Sequence, residues 1–399
     1  MQEARYQLSG RVRASAAPPI PLAAQWAAEY SPTAADPLIN LSQGVPGAPP
    51  PQAMLDKLAD ATRDPTTTGY GALAGDASLR LAVADNVERV YGPPAQEDFR
   101  VTADNAFYAT MLALAEPGDE IILPTPWYFN HQMSLEQLGL SLVPLPCHAP
   151  DFLPSPKDCI DLISDRTRAI VLVSPNNPTG AIYPRELISR FAVLAQARNI
   201  ALILDETYRD FVDGPPHHLF AKTDWPAYLI HLFSFSKSYA IPGHRLGGLI
   251  ASRTFLAQVS KLLDCIQICP ARPAQRVVEW AIGAMSDWRD GVKHELQSRQ
   301  NVFRELLEGV DGWEVATGGA YFAYVKHPFE GVPSQKVSQY LAARVGIITL
   351  PGTFFSPPFD RIDEDRYIRF SIANVDEATL RRVPARLKRL NELWPTLPH

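Results

Sequence analysis

The stretch LIHLFSFSKSYAIPGHRLGG, Leu229 to Gly248, runs from a continuous apolar segment into one lysine with small polar neighbours. A lysine amine is a nucleophile only when it is unprotonated, and burial or nearby cations lower its pKa so that it can form a Schiff base with an aldehyde. Ser234 and Ser236 supply hydroxyls, and Arg245 supplies a planar fork of donors suited to phosphate. Lys237 is therefore predicted to bind an aldehyde cofactor that carries phosphate. A solvated lysine in a Ser-rich loop is the alternative that this motif alone leaves open.

Apolar segments of the same kind recur on both sides of this stretch. They are EIILPTP (Glu120 to Pro126), AIVLVSP (Ala169 to Pro175), ALILDE (Ala201 to Glu206) and GGLIAS (Gly247 to Ser252), and the stretch itself begins with the predicted strand LIHLFSFSK (Leu229 to Lys237). Continuous Val, Ile and Leu runs separated by helical patterns are typical of a sheet covered on both faces, so we predict a mostly parallel αβα sandwich of the α/β class. Ligands bind beyond the carboxyl ends of such strands. Asn177, Asp205 and Lys237 each lie at or just past the end of a run, which predicts one site at that edge.

The C-terminal part of the chain has a different pattern. After a helical stretch around 275–309, the segments 312–328 and 366–373 alternate like strands of an antiparallel sheet. We predict that they form a smaller α+β domain, joined by the N-terminal segment. The expected division is an arm and part of the small domain at 1–44, a cofactor-binding large domain at 45–285 and the small domain at 286–399.

Three further motifs lie before and after the lysine segment in the chain. They are SPNNPTG (Ser174 to Gly180), LDETY (Leu204 to Tyr208) and YIRFSIAN (Tyr367 to Asn374). With these motifs the chain resembles the fold type I pyridoxal-phosphate enzymes of the class I/II aminotransferase family, from about Leu41 to about Asp376. The resemblance implies pyridoxal 5′-phosphate as cofactor and a ping-pong transfer of an amino group between an L-amino acid and a 2-oxo acid.

The resemblance assigns three residues to the cofactor ring. The ring is an electron sink only while its nitrogen is protonated, and a buried carboxylate keeps it so; Asp205 matches the family's aspartate in this role. Capping of the following turn is the structural alternative for Asp205. Tyr208 is expected to hydrogen-bond the cofactor phenolate. Asn177 is expected to donate to the same oxygen and to contribute to substrate binding.

Four more positions are carried over from the family pattern. Arg369 is expected to bind the substrate α-carboxylate through a planar two-point pair, and Gly44 to present its backbone to the same carboxylate. The register of TPWYFNH points to Tyr128 rather than Trp127 as the aromatic that stacks on the cofactor, although core packing explains either ring. Tyr70 resembles a residue that reaches the phosphate of a neighbouring subunit, which implies a homodimer.

The segment VTADNAFYATMLALAEPGDE, Val101 to Glu120, departs from the family pattern. The family places a glycine-containing turn before a helix here, so that backbone N–H groups and the helix dipole meet the phosphate. This chain has no glycine before the helix, and Ala103, Asp104 and Asn105 are the candidates for the phosphate cup. An aspartate repels a dianion unless it turns away to cap the helix. We therefore expect weaker cofactor binding, or a shift of the anchoring onto the lysine segment and Tyr70.

Composition excludes several partners. The formal charge of −6, from 37 basic and 43 acidic residues, argues against a general nucleic-acid binder or an anionic-membrane binder. No apolar run reaches the roughly 20 residues of a membrane span, and the N-terminus lacks the apolar core of a signal peptide. Four cysteines without accompanying histidines predict neither a zinc site nor a disulfide framework, so no metal and a cytoplasmic location are expected.

The sequence gives less information on which amino acid is the substrate. Arg272 and Arg276 fall near the place where some relatives recruit an arginine for acidic substrates, but arginines on a helix surface are the alternative. Four aromatic residues are candidates for an aromatic or broad pocket: Trp26, Trp127, Tyr321 and Phe322.

Relatives with the same lysine, aspartate and arginine act as pyridoxal-phosphate-dependent lyases, cyclases or oxidases, which remain the alternative reactions. A cofactor-sensing transcription regulator is not expected, because only about 40 residues precede LSQGVPG, too few for a DNA-binding domain.

Overall fold

The structure is a computed structural model of the 399-residue chain. It describes residues 6–92, 99–103, 106–359 and 364–398, with the backbone alone for 99–103. Asp104 and Asn105, two of the three candidates for the phosphate cup, lie outside the described residues.

The described residues form helices α1–α15 and strands β1–β13. The helices are Gly10–Ala14 (α1), Pro19–Gln25 (α2), Gln52–Arg63 (α3), Ala77–Tyr91 (α4), Ala106–Leu114 (α5), Phe129–Leu138 (α6), Pro156–Ile160 (α7), Arg185–Arg198 (α8), Phe235–Ser238 (α9), Arg253–Ile266 (α10), Arg272–Ala284 (α11), Ser286–Glu308 (α12), Ser334–Val345 (α13), Glu377–Leu380 (α14) and Val383–Leu393 (α15). The strands are Ile39–Asn40 (β1), Phe99–Ala103 (β2), Glu120–Thr125 (β3), Ser141–Pro146 (β4), Thr167–Val173 (β5), Ala201–Asp205 (β6), Leu229–Ser234 (β7), Leu246–Ile250 (β8), Glu314–Gly319 (β9), Phe322–Lys326 (β10), Ile347–Ile348 (β11), Leu350–Pro351 (β12) and Tyr367–Ser371 (β13).

The larger sheet has seven strands in the order β2-β8-β7-β6-β5-β3-β4. Strand β8 is antiparallel to both of its neighbours, and the other pairs are parallel. Both faces are covered by helices: Leu202 and Leu204 pack on one side, and Ile203 between them packs on the other. This alternation explains why the strands appear in the sequence as continuous apolar runs. The predicted mostly parallel αβα sandwich is confirmed.

The lysine segment differs from the expectation in one respect. The apolar run was predicted to continue as a strand to Lys237, but strand β7 ends at Ser234 and the short helix α9 follows. The Ser234 side chain accepts a hydrogen bond from the backbone N–H of Ser236, which caps the first turn. Lys237 therefore lies in a helical turn directly beyond the carboxyl end of β7.

A smaller antiparallel sheet has the strand order β12-β13-β10-β9. It has its own apolar core, to which Phe303, Leu341 and Leu387 contribute from α12, α13 and α15. The N-terminal strand β1 pairs with β11, so the N-terminal segment joins the C-terminal part of the chain as predicted. The boundaries given for the two domains stay a prediction.

Close contacts join the two sheets beside the ends of β5 and β6. Gly180, at φ +73°, lies so near the second sheet that an added Cβ would be 2.4 Å from the Gly319 nitrogen. The Tyr321 hydroxyl donates to the Lys237 carbonyl at 3.3 Å. These contacts place the small sheet beside the lysine segment. Among the helices of the described ranges, none has the combination of length and apolarity that crossing a membrane would require.

Candidate active site

A cavity of about 870 Å³ opens beyond the carboxyl ends of β5, β6 and β7. Most of the residues predicted from sequence line it together: Gly44, Tyr128, Asn177, Asp205, Tyr208, Ser234, Ser236, Lys237, Arg245 and Arg369. Tyr70 is not part of this lining, and its side chain is 80% exposed. Ala103 is the last residue of β2, and nothing in the structure describes its side chain.

Lys237 has the electrostatic setting that an amine nucleophile requires. Burial is the main cause that lowers its pKa, and the positive charge of Arg369 adds to the effect, so that the pKa falls from 10.5 to about 8. Both causes disfavour the ammonium form. A substantial fraction of the amine is therefore unprotonated near neutral pH.

Asp205 lies at the end of β6, where its carboxylate is held from two sides. Its Oδ1 accepts hydrogen bonds from the backbone N–H of Thr207 at 3.0 Å and from the Thr207 hydroxyl at 2.7 Å. Its Oδ2 lies 3.2 Å from Nε2 of His131. Burial alone would raise the pKa of Asp205, but the interactions with His131 and Thr207 outweigh it and hold the pKa below its ordinary value. The carboxylate is thus ionised although it is buried.

His131 was not assigned from sequence. It is 3% exposed, and its ring stacks on Phe107 with a centroid distance of 3.9 Å. The stacking fixes the plane of the imidazole, and the imidazole in turn orients Asp205. The motif TPWYFNH ends at this histidine, but His131 and Asp205 are 74 positions apart in the chain, so no local pattern indicated that they form a pair.

The turn after β5 is built so that Asn177 faces the cavity. Oδ1 of the preceding Asn176 accepts from the Thr179 N–H at 3.1 Å and from the Thr179 hydroxyl at 2.9 Å, which closes the turn. Asn177 does not have to close it. Its Oδ1 instead accepts from Nη1 of Arg369 at 2.7 Å.

Arg369 is a cation enclosed by protein. It is 1% exposed, and besides Asn177 it donates from Nη2 to the Ser42 carbonyl. The guanidinium lies 4.7 Å from the ring centre of Phe322 and 5.0 Å from that of Phe355. Burial lowers its pKa to about 10, so it stays charged at neutral pH. A fixed guanidinium beside an open cavity is suited to a carboxylate ligand.

Tyr208 and Gly44 meet on the same wall. Burial, aided by Tyr128, raises the pKa of Tyr208 well above its ordinary value, so its phenol is protonated and can donate. An added Cβ at Gly44 would lie 2.7 Å from the Phe322 ring and 3.4 Å from the Tyr208 oxygen. Close packing thus requires glycine there, independently of any backbone contact to substrate.

Three of the residues expected to bind phosphate, Ser234, Ser236 and Arg245, line the cavity. The Ser236 hydroxyl is buried and has no hydrogen-bond partner among the described residues. Nη1 of Arg245 donates to the Pro242 carbonyl at 2.8 Å. A buried hydroxyl without a partner is costly unless a ligand satisfies it. Together with the nucleophilic lysine and the ionised Asp205, this arrangement fits pyridoxal phosphate.

The structure distinguishes the aromatic candidates by whether they line the cavity. Tyr128 lines the cavity and accepts a hydrogen bond from Asn130 Nδ2 at 2.8 Å. Trp127 is 3% exposed in the core and donates to Gln132. The other three aromatic residues proposed for a broad pocket, Trp26, Tyr321 and Phe322, are likewise not part of the cavity lining.

A second polar cluster lies buried behind the site. Oε2 of Glu206 accepts a hydrogen bond from the Tyr91 hydroxyl, and it lies 2.8 Å from Nε2 of His231. Nε2 of His217 lies 3.6 Å from the same oxygen. Burial raises the pKa of Glu206 and lowers the pKa of both histidines, that of His217 to about 4. We interpret the cluster as a hydrogen-bonded core network that ties the end of β6 to β7 and α4. Sequence reasoning missed it because its members lie far apart in the chain.

Comparison with known proteins agrees with this geometry. The sequence model of the family described as aminotransferase class I and II matches residues 36–387. The chain belongs to this family. It is therefore an enzyme, a pyridoxal-phosphate-dependent aminotransferase.

The relatives cover nearly the whole chain at moderate identity. An aromatic aminotransferase of Arabidopsis thaliana is 28% identical over 88% of this chain and 89% of its own length. An aspartate aminotransferase of Pyrococcus horikoshii is 29% identical over 85% of this chain and 87% of its own. Among solved structures, a methionine aminotransferase of Escherichia coli superposes with a TM-score of 0.86 at 23% identity, covering 96% of this chain and 100% of that one. The Escherichia coli structure and this chain share the fold type I architecture.

Proposed function

We propose that this aminotransferase moves an amino group between an L-amino acid and a 2-oxo acid by a ping-pong mechanism. One observation carries the proposal: a single cavity contains the amine of Lys237 with a lowered pKa, the ionised Asp205 and the buried Arg369. These are an amine, an anion and a carboxylate-binding cation, each kept in its reactive charge state by its surroundings.

The lining residues would hold the cofactor at four points. Asp205 would face the ring nitrogen, and Asn177 and Tyr208 the phenolic oxygen. Tyr128 would lie on the ring face. The phosphate would be bound by Ser234, Ser236 and Arg245, with a contribution from the segment of Ala103, Asp104 and Asn105. When bound, pyridoxal phosphate supplies an electron sink that stabilises negative charge at the substrate α-carbon.

The chain's own residues then bind and orient the substrate. Arg369 would hold the α-carboxylate, which fixes the α-carbon relative to Lys237. Lys237, as a neutral amine, would accept the α-proton at Nζ and pass it to the former aldehyde carbon of the cofactor, and in the second half-reaction it would move a proton in the opposite direction. Its pKa of about 8 lies close to neutral pH, where an amine both accepts and releases a proton effectively.

A homodimer is also proposed. It would bring Tyr70 of one subunit to the phosphate of the other, and the 80% exposure of Tyr70 in the single chain leaves this residue available for such a contact.

We further propose a cytoplasmic location. All four cysteines are free thiols in the structure, and reduced thiols are typical of cytoplasmic proteins.

The substrate is not fixed by the names of the relatives, which are an aromatic, an aspartate and a methionine aminotransferase.

The test is a half-reaction with the holoenzyme. Amino acid alone should convert the cofactor to its pyridoxamine form with one equivalent of 2-oxo acid, without ammonia release or oxygen uptake. Lys237→Ala should lose the borohydride-trappable linkage and nearly all turnover. Stoichiometric ammonia or consumed oxygen would instead identify the lyase or oxidase reaction, and a Lys237→Ala enzyme of normal rate would refute the role of that amine.

A further inference from the structure

The walls of the cavity indicate which amino acids it accepts. Resting on the proposed function, we infer that the substrate is an amino acid with an uncharged, mainly apolar side chain, and that dicarboxylic and basic amino acids are poor substrates. Three sets of contacts in the described residues carry this inference.

The first concerns charge. Among the described residues that line the cavity, the aspartate, glutamate, lysine and arginine side chains are Asp205, Lys237, Arg245 and Arg369. Each already has a partner in the proposed chemistry: the ring nitrogen, the cofactor aldehyde, the phosphate and the α-carboxylate. His131, also in the lining, is engaged by Asp205. Within the described part of the chain, this leaves no cation for a second carboxylate and no anion for a basic side chain.

The second concerns the remaining wall. Ile20 of α2 and Met133 of α6 line the cavity and pack against an apolar cluster that contains Phe129 and Phe355. Ile266, at the end of α10, lines it too and is 44% exposed. Besides His131, the polar lining residues of α6 are the neutral Asn130, Ser134 and Gln137. A side chain that enters this region meets apolar groups and uncharged dipoles.

The third concerns the two arginines considered for acidic substrates. Nη1 of Arg276 bonds the Asp64 carboxylate, and Nη2 donates to Thr66. Arg272 donates to the Thr66 carbonyl at 2.5 Å and lies 3.6 Å from Asp76. Both guanidinium groups are therefore bound by groups of their own chain. Recruiting either one for a substrate would break these contacts.

The energetic consequence is a preference in kcat/KM. A carboxylate that leaves water for an apolar wall without a cation loses part of its hydration without compensation, whereas an apolar side chain gains from burial. Hydrophobic pockets distinguish small apolar differences by roughly 10- to 200-fold. We expect kcat/KM for the best of L-methionine, L-leucine and L-phenylalanine to exceed that for L-aspartate, L-glutamate and L-lysine by roughly 100-fold.

The experiment measures the first half-reaction of the holoenzyme with these six amino acids by single-turnover spectroscopy. A preference of tenfold or more for the neutral set supports the inference. Equal values, or a preference for an acidic or basic amino acid, overturn it and leave the proposed function intact. If none of the six, nor any other amino acid, yields the pyridoxamine form, it is the proposed function that fails.

Charge variants of the wall make the test specific. Met133→Arg places a cation among the apolar lining residues. Gln137→Arg places one at a polar, partly exposed position of the same helix, where an arginine is easier to accommodate, and it serves as the test if Met133→Arg does not fold. Either should raise kcat/KM for L-aspartate or L-glutamate at least tenfold and lower that for L-methionine. The matched control is Val193→Arg, on α8, where the residue is 57% exposed and does not line the cavity. In this control the ratios of kcat/KM for L-aspartate and for L-glutamate to kcat/KM for L-methionine should stay at their wild-type values. If both wall variants fold without a change in ratio, the substrate side chain does not contact this wall and the inference is wrong.

Discussion

Replacing Arg369 by lysine keeps the positive charge but removes the planar fork. In the structure one guanidinium nitrogen donates to Asn177 at 2.7 Å and another to the Ser42 carbonyl, so the side chain has a fixed orientation toward the cavity. Lysine has a single ammonium and cannot reproduce both contacts while binding a carboxylate. The loss of one charged hydrogen bond and the exposure of an unpaired acceptor together cost about 2–4 kcal/mol. This corresponds to a roughly 30- to 1,000-fold loss in amino-acid affinity.

The assay compares an amino acid with the amine that lacks its carboxylate. For Arg369→Lys, kcat/KM should fall by the factor given above for the amino acid and stay within about threefold for the amine, because only the former contacts this side chain. Cofactor absorbance should be retained. The matched control is Arg63→Lys, since Arg63 lies on α3 with a side chain 78% exposed. An amino-acid kcat/KM within threefold of wild type, in a variant that melts normally, would refute the assignment of Arg369.

Two further predictions concern the reactivity of the lysine and the junction of the two sheets. In the cofactor-free protein, the rate of covalent attachment of pyridoxal phosphate should rise about tenfold per pH unit and level off near pH 8, because the pKa of Lys237 is lowered from 10.5 to about 8; at pH 7 the free-amine fraction is then about 300-fold that of an ordinary lysine. A rate that still rises steeply at pH 10 would contradict the burial of this amine. Gly180→Ala should destabilise the protein by more than ~2 kcal/mol in chemical denaturation, because a Cβ there meets backbone atoms at 2.4–2.9 Å and φ is +73°. Gly283→Ala, in α11 with nothing within 4 Å, is the matched control and should be neutral or stabilising; equal effects of the two substitutions would disprove the close packing.

The fold was accessible from sequence because it depends on local patterns, and the candidate reactive groups were predicted from short motifs together with the family resemblance. Buried parallel strands appear as continuous apolar runs, and the runs at β3, β5, β6 and β7 lie within two residues of their predicted bounds, apart from the last, which ends three residues early at Ser234. Motifs such as LDETY and NPTG place a polar residue at the end of a strand or a few residues beyond it, so the edge at which Asp205 and Asn177 meet follows from topology alone.

The amino-acid sequence by itself thus determined the sandwich of sheet and helices, and it predicted Lys237, Asp205 and Arg369 as members of one site. Only the tertiary structure decided how those groups are held. The pairing of His131 with Asp205 and the bond from Arg369 to Ser42, which spans 327 residues, join segments whose separation along the chain carries no local signal. The tertiary structure likewise decided that Ile20, Met133 and Ile266 line the cavity, and that Arg272 and Arg276 are bound by groups of their own chain. The physical reason is that strand and helix patterns depend on neighbours within a few residues, whereas pKa values, ion pairs and cavity walls depend on which distant side chains folding brings into contact.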